Sequence, residues 1–123
     1  MVSLGDLQKQ VYQNKIEKGF DIRDNKENMY KQFCYIQGEL SEAFEAYHKN
    51  LGTLGEELAD VVLYILGLCE IKKIDLETEI IKKLEVIKKR KYVNINGSMI
   101  KEEKLTKEQK KYLEENAKND RKI

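Results

Sequence analysis

Glu56-Glu57-Leu58-Ala59-Asp60-Val61-Val62-Leu63-Tyr64-Ile65-Leu66 is the stretch whose reading decides the fold. Leu58, Val61, Val62, Ile65 and Leu68 recur at helical spacing, and Leu63 and Leu66 fall on the far side. A helix that apolar all round is a central helix, so the segment is predicted to form the middle of an all-α domain. Its leading end is acidic. Glu57 and Asp60 stand three apart, which places both carboxylates on one face, one turn from each other. Asp60 borders Val61, Val62 and Leu63, so it is expected to be at least partly buried, which is costly for a carboxylate that is neither paired nor bound to a metal.

The same spacing occurs upstream in Gly38-Glu39-Leu40-Ser41-Glu42-Ala43, also in helical context. A short break, Asn50-Leu51-Gly52, joins the two segments. Two such pairs on neighbouring helices would form an all-oxygen site for a hard divalent cation. Carboxylates alone suit Mg²⁺, with Mn²⁺ as a substitute, over zinc. His48 is the only histidine, which excludes a zinc site built from several histidines. Four ionised carboxylates would repel one another and drive some of their pKa values up, a tension that a divalent ion relieves. Mg²⁺ in such a site completes its shell with water and substrate phosphates, which points to phosphoryl chemistry. Glu39 and Glu42 by themselves would read as a solvated helix face. Their pairing with Glu57 and Asp60 shifts the reading toward a metal centre.

The remaining segments also read as helices. Ser3 caps a first helix over about Leu4 to Lys18, with Leu4, Leu7, Val11 and Ile16 as its apolar positions and Gly19 as its stop. A second helix runs from about Lys26 to Lys49 with Phe33, Ile36, Leu40, Phe44 and Tyr47 as its apolar stripe. Thr53-Leu54-Gly55-Glu56 has the pattern of a capping box opening the third. Asp75 caps a fourth, which carries Leu76, Ile80, Ile81, Leu84 and Ile87 and ends in the basic run Lys88 to Lys91. Val93 to Met99 reads as a loop with an Asn96-Gly97 turn, and Thr106 caps a polar last helix to about Lys118. The expected organisation is a four-helix domain over 1–92 and a polar loop with a helical tail over 93–123.

The chain has 123 residues, 37% of them charged and 41% hydrophobic, with a formal charge of +1. That near-neutral balance gives no global field to attract nucleic acid or an anionic membrane, so neither is expected as a partner. The start lacks the basic and apolar regions of a signal peptide, and the apolar run Val61 to Cys69 is too short to span a bilayer. A cytoplasmic protein is expected, with Cys34 and Cys69 as reduced core thiols. His48 is expected at the surface; Tyr30, Tyr35, Tyr47 and Tyr64 could stack on a base, with core or interface packing expected for most of them.

Gly38-Glu39-Leu40-Ser41-Glu42-Ala43-Phe44-Glu45-Ala46 followed by Gly55-Glu56-Glu57-Leu58-Ala59-Asp60-Val61-Val62 resembles the MazG-like all-α nucleoside triphosphate pyrophosphohydrolases, whose signature is ExxE, a variable spacer and ExxD. The resemblance covers roughly residues 4 to 92. It implies a four-helix unit assembled into homodimers or homotetramers, which hydrolyses (deoxy)nucleoside triphosphates to monophosphate and pyrophosphate with Mg²⁺. It implies Glu39, Glu42, Glu57 and Asp60 as catalytic metal ligands, with Glu45 and Glu56 as lesser candidates to orient water or hold a second ion. It further implies Lys83, Arg90 and Tyr92 as substrate-binding residues, where Lys and Arg would balance triphosphate charge. The sequence departs from similar ones in carrying Ile87 where Asn is usual and Lys91 where Pro is usual. That departure keeps a second expectation open, a non-catalytic helical module of the same fold that binds nucleotide or a protein partner.

Overall fold

The computed structural model describes residues 1–120; Arg121, Lys122 and Ile123 at the end of the expected tail lie outside the described residues. The described chain is mostly helical, with α1 at Leu4–Lys18, α2 at Lys26–His48, α3 at Leu54–Ile71, α4 at Leu76–Lys89 and α5 at Lys107–Asp120. By its internal contacts the chain divides within α4 into two compact units, Met1–Ile80 and Ile81–Ile123.

Local chemistry sets the helix ends. Ser3 and Asp6 form a reciprocal capping box at α1, and Gly19 closes that helix in the left-handed region at φ 79°. Asn25 accepts from the Asn28 amide to open α2. Asp75 accepts from both the amide and the hydroxyl of Thr78 at the start of α4. The capping box expected at Thr53 does not form. Thr53 sits at φ −112°, ψ 13° rather than in the extended conformation an N-cap needs, so only its carbonyl, accepting from Glu57, ties it to the helix.

In the first unit α3 packs against both α1 and α2. Its C-terminal half is the core: Leu66, Leu68, Cys69 and Ile71 are buried, and Leu66 is only 1% exposed. Burying one leucine that completely contributes about 2 kcal/mol. The partners are not the expected stripes. On α1 Leu7 and Ile16 are exposed, while Gln8 and Lys15 are buried; on α2 Phe33, Leu40, Phe44 and Tyr47 are exposed, while Asn28, Gln32, Ala43 and Ala46 are buried. The small side chains of Ala43 and Ala46 let α2 come close to α3, and a polar network fills the other end of the interface. Cys34 is exposed rather than in the core, whereas Cys69 is buried and both thiols are free.

Helix α4 departs from expectation most. It buries no residue, and Ile80, Ile81, Leu84 and Ile87 all remain exposed, so the core of the first unit is made by three helices rather than four. In the second unit the expected loop is a β-hairpin, β1 at Tyr92–Ile95 antiparallel to β2 at Ser98–Lys101. Asn96 and Gly97 both have positive φ, 52° and 85°, the pattern of a two-residue hairpin turn whose twist suits the strands. The Asn-Gly pair that reads as a loop turn is thus a hairpin turn, flanked by Val93, Ile95 and Ile100. Thr106 and Gln109 then cap α5 reciprocally, as the sequence predicts.

Candidate metal centre and adjoining cleft

Helix geometry brings three of the four expected carboxylates together. Glu39, Asn28, Gln32, Ala43 and Ala46 share the α2 face turned toward α3, at spacings of three, four and seven. On α3 Glu57 begins the matching stripe that continues through Val61, Tyr64 and Leu68. The stripes meet so that Glu39, Glu42 and Glu57 each offer a carboxylate oxygen within 4.8 Å of the others. Glu39 and Glu57 are half-buried and Glu42 is exposed. Oε2 of Glu39 is buried and has no hydrogen-bond partner among the described residues.

The electrostatics of this trio are unfavourable to three bare charges. Burial pushes the Glu39 carboxyl above its ordinary value, and the charge of Glu42 and then those of Asp60 and Glu57 push it further. Glu57 is raised for the same reasons, burial first, followed by Glu42, Asp60 and Glu56. A buried carboxylate oxygen without a donor, facing two more carboxylates, is what a divalent ion with oxygen ligands would satisfy. The residues present therefore fit a hard cation, and neither thiol nor imidazole accompanies them.

Asp60 stands apart from this arrangement. It is exposed, against the expectation of partial burial, because Glu56 and Leu63, its neighbours one turn to either side, are themselves exposed and leave that side of α3 open. It does not join the oxygen trio, although its charge acts on both Glu39 and Glu57. Glu45 is committed elsewhere, to an ion pair with Lys49 that holds its carboxyl below the ordinary range. Glu56 is exposed and acts on the site only through its charge beside Glu57.

Asp60 also lines a cleft of about 360 Å³ with Gln10, Asn14, Lys15, Phe20 and Tyr64. This cavity combines two aromatic rings, two amides and a cation, and it borders the carboxylates through Asp60. Burial and then the Glu39 charge raise the Tyr64 hydroxyl, whose ring lies 5.8 Å from that of Tyr35. Sequence reasoning did not find Lys15. The signal was present in the spacing of Leu4, Gln8, Val11 and Lys15, which share one helix face, but two polar members disguise it.

The expected substrate-binding residues Lys83, Arg90 and Tyr92 all belong to the second unit. There Arg90 is half-buried and lines a cleft of about 540 Å³ with Lys89, Lys91, Lys101 and Lys110, joined by Glu102 and Glu103. Tyr92 pairs with Lys101 across the hairpin, and Lys83 is exposed on α4 outside that cleft. His48 is at the surface, stacked on Phe44 with ring centroids 5.8 Å apart. No helix among the described residues is long and apolar enough to cross a membrane. Compared with known proteins, the chain matches no family model, no curated protein and no solved structure.

Proposed function

We propose that this chain is a divalent-metal-dependent hydrolase that cleaves (deoxy)nucleoside triphosphates to monophosphate and pyrophosphate. The observation that carries the reading is the unpartnered, buried Oε2 of Glu39 within the Glu39, Glu42 and Glu57 trio. The ExxE and ExxD resemblance supplies the reaction class, and the cleft beside Asp60 supplies a place for a nucleoside. Bound there, Mg²⁺ would neutralise phosphate charge and acidify a water. Glu39, Glu42 and Glu57 would hold the ion, and Asp60, exposed at the mouth of the cleft, would hold or orient the water. Phe20 and Tyr64 would stack on the base while Gln10 and Asn14 satisfy its polar edge.

Self-association belongs to the same proposal. Phe33, Leu40, Phe44 and Tyr47 form an exposed apolar face on α2, and Leu40, Phe44, Tyr47, Leu54 and Leu58 line a groove of about 520 Å³. A face of that size on so short a chain suits a second copy.

Pyrophosphate release from a panel of nucleoside triphosphates, with Mg²⁺ and with a chelator, tests the activity. Metal-dependent release that Glu57→Gln abolishes in a folded protein supports it. Binding without release would favour a non-catalytic nucleotide-binding module, the reading that exposed Ile87 at the usual Asn position keeps open.

A further inference from the structure

Lys15 is a buried cation without an anion. The residue is 9% exposed, its Nζ donates to Gln32 Oε1 at 3.3 Å, and it lies 5.4 Å from the centroid of the Tyr64 ring. Among the described residues no carboxylate lies within 4.0 Å of it. Room for the amine comes from Gly67 on α3. A Cβ there would stand 2.6 Å from Lys15 Cε and 3.0 Å from Nζ. Gln32 is aimed in turn, since its Nε2 donates to Asn28 Oδ1, and Asn28 Nδ2 donates to the carbonyls of Asp21 and Arg23. The relay therefore fixes both the lysine and the loop that follows Phe20, and Phe20 itself lines the same cleft.

Placing an ammonium against a neutral amide is costly, and a relay built only to hold a loop has no need of a charge. An ammonium has three N–H donors. One is spent on Gln32, and the Tyr64 face attracts the charge without accepting a conventional hydrogen bond. The rest meet no protein acceptor among the described residues, and Lys15 is one of the residues lining a ligand-sized cleft beside Asp60.

We propose that Lys15 is a specificity residue of this cleft, donating to a carbonyl oxygen of the bound base. The chain then selects nucleotides of uracil, thymine, cytosine or guanine over those of adenine. Adenine carries no carbonyl, and its N1 and N7 are flanked by an amino group that turns its own donors toward the ammonium. The assignment rests on the hydrolase reading above. A buried donor left without an acceptor accounts for a preference of about 10-fold or more in kcat/KM.

The test is a steady-state comparison of dUTP, dCTP, dGTP and dATP with Mg²⁺, for the wild type, Lys15→Met and Gly67→Ala, with melting temperatures recorded alongside. Lys15→Met is expected to raise KM about 10-fold for the three carbonyl bases and to lower it for dATP, whose amino group no longer meets the ammonium, so that the preference against adenine is lost. Gly67→Ala, which displaces the amine while keeping the lysine, is expected to give the same pattern and decides the matter should Lys15→Met not fold. Equal losses on all four substrates, or discrimination preserved in either folded variant, would overturn the lysine assignment and leave the hydrolase reading standing. If the wild type turns over none of the four, and none raises its melting temperature, the hydrolase reading fails and this assignment fails with it.

Discussion

Glu39→Gln should move stability in opposite directions with and without a divalent ion. The amide keeps the size of the side chain, removes one charge from the trio and gives Glu42 or Glu57 a donor. In chelator the variant is therefore expected to melt higher than the wild type, because burial and the neighbouring carboxylates disfavour a charged Glu39. With an ion the order reverses. An ion at ten times its dissociation constant stabilises the folded chain by RT ln 11, about 1.4 kcal/mol, or about 5 °C for a domain of this size. A ligand loss that weakens binding 100-fold leaves less than about 0.1 kcal/mol of that gain at the same concentration. The two melting curves should cross as Mg²⁺ is added, which differential scanning fluorimetry reads directly.

The pH dependence carries the same sign argument. Glu39 and Glu57 are held above their ordinary 4.5 in the folded chain, so folding takes up protons there. Without an ion, stability is greatest below that ordinary value and declines as pH rises through the raised values toward neutrality. With an ion the slope turns over, since the ligands bind as carboxylates. A wild type indifferent to millimolar Mg²⁺, or a Glu39→Gln that melts lower than the wild type in chelator, would refute the reasoning.

Three further outcomes follow from the packing. Leu66→Ala, at a site 1% exposed, is expected to cost about 3 kcal/mol, seen as a lower urea midpoint at an unchanged m-value. Asn28→Ala strands the carbonyls of Asp21 and Arg23 and leaves Gln32 Nε2 without its acceptor, so a loss of about 2 kcal/mol is expected, with faster amide exchange confined first to residues 20–25. If a second copy seats on the exposed face of α2, as proposed, Phe44→Glu should leave the helicity intact and sediment as a single copy where the wild type sediments as a larger species; a wild type that sediments as a single copy at every concentration would refute that proposal.

Periodicity located the elements because helix ends are local chemistry. Ser3, Gly19, Asn25, Asp75 and Thr106 cap or close their helices through neighbours within a few positions, which one sequence displays. The hairpin was hidden for the opposite reason: Asn96-Gly97 specifies a turn, but its strands, Tyr92–Ile95 and Ser98–Lys101, are only four residues each and too short for alternation to stand out. Which face of a helix turns inward is not local. A hydrophobic stripe marks a face to be kept from water without saying what covers it, and on α2 that face is left uncovered among the described residues. Phe33, Leu40, Phe44 and Tyr47 made the sequence point outward from the true contact with α3.

The site shows why the inner face was illegible. Asn28, Gln32, Glu39, Ala43 and Ala46 stand at core spacing on α2, yet most are polar and none is large and apolar. On α1, Gln8 and Lys15 interrupt the stripe begun by Leu4 and Val11 in the same way. Patterning that treats polar residues as solvent-facing must assign all of them to the surface. Glu39 and Glu57 escape that error only because the matched spacing of the two pairs reads as chemistry rather than as amphipathicity. Asp60 shows the limit of that reading, since adjacency to Val61 and Val62 along the chain does not enclose a side chain when the helix turns that side to solvent. A polar residue held at the spacing of a core stripe is therefore the more informative signal. Burial there costs stability, and in this chain Glu39 bears that cost in the trio of oxygens and Lys15 beside the cleft.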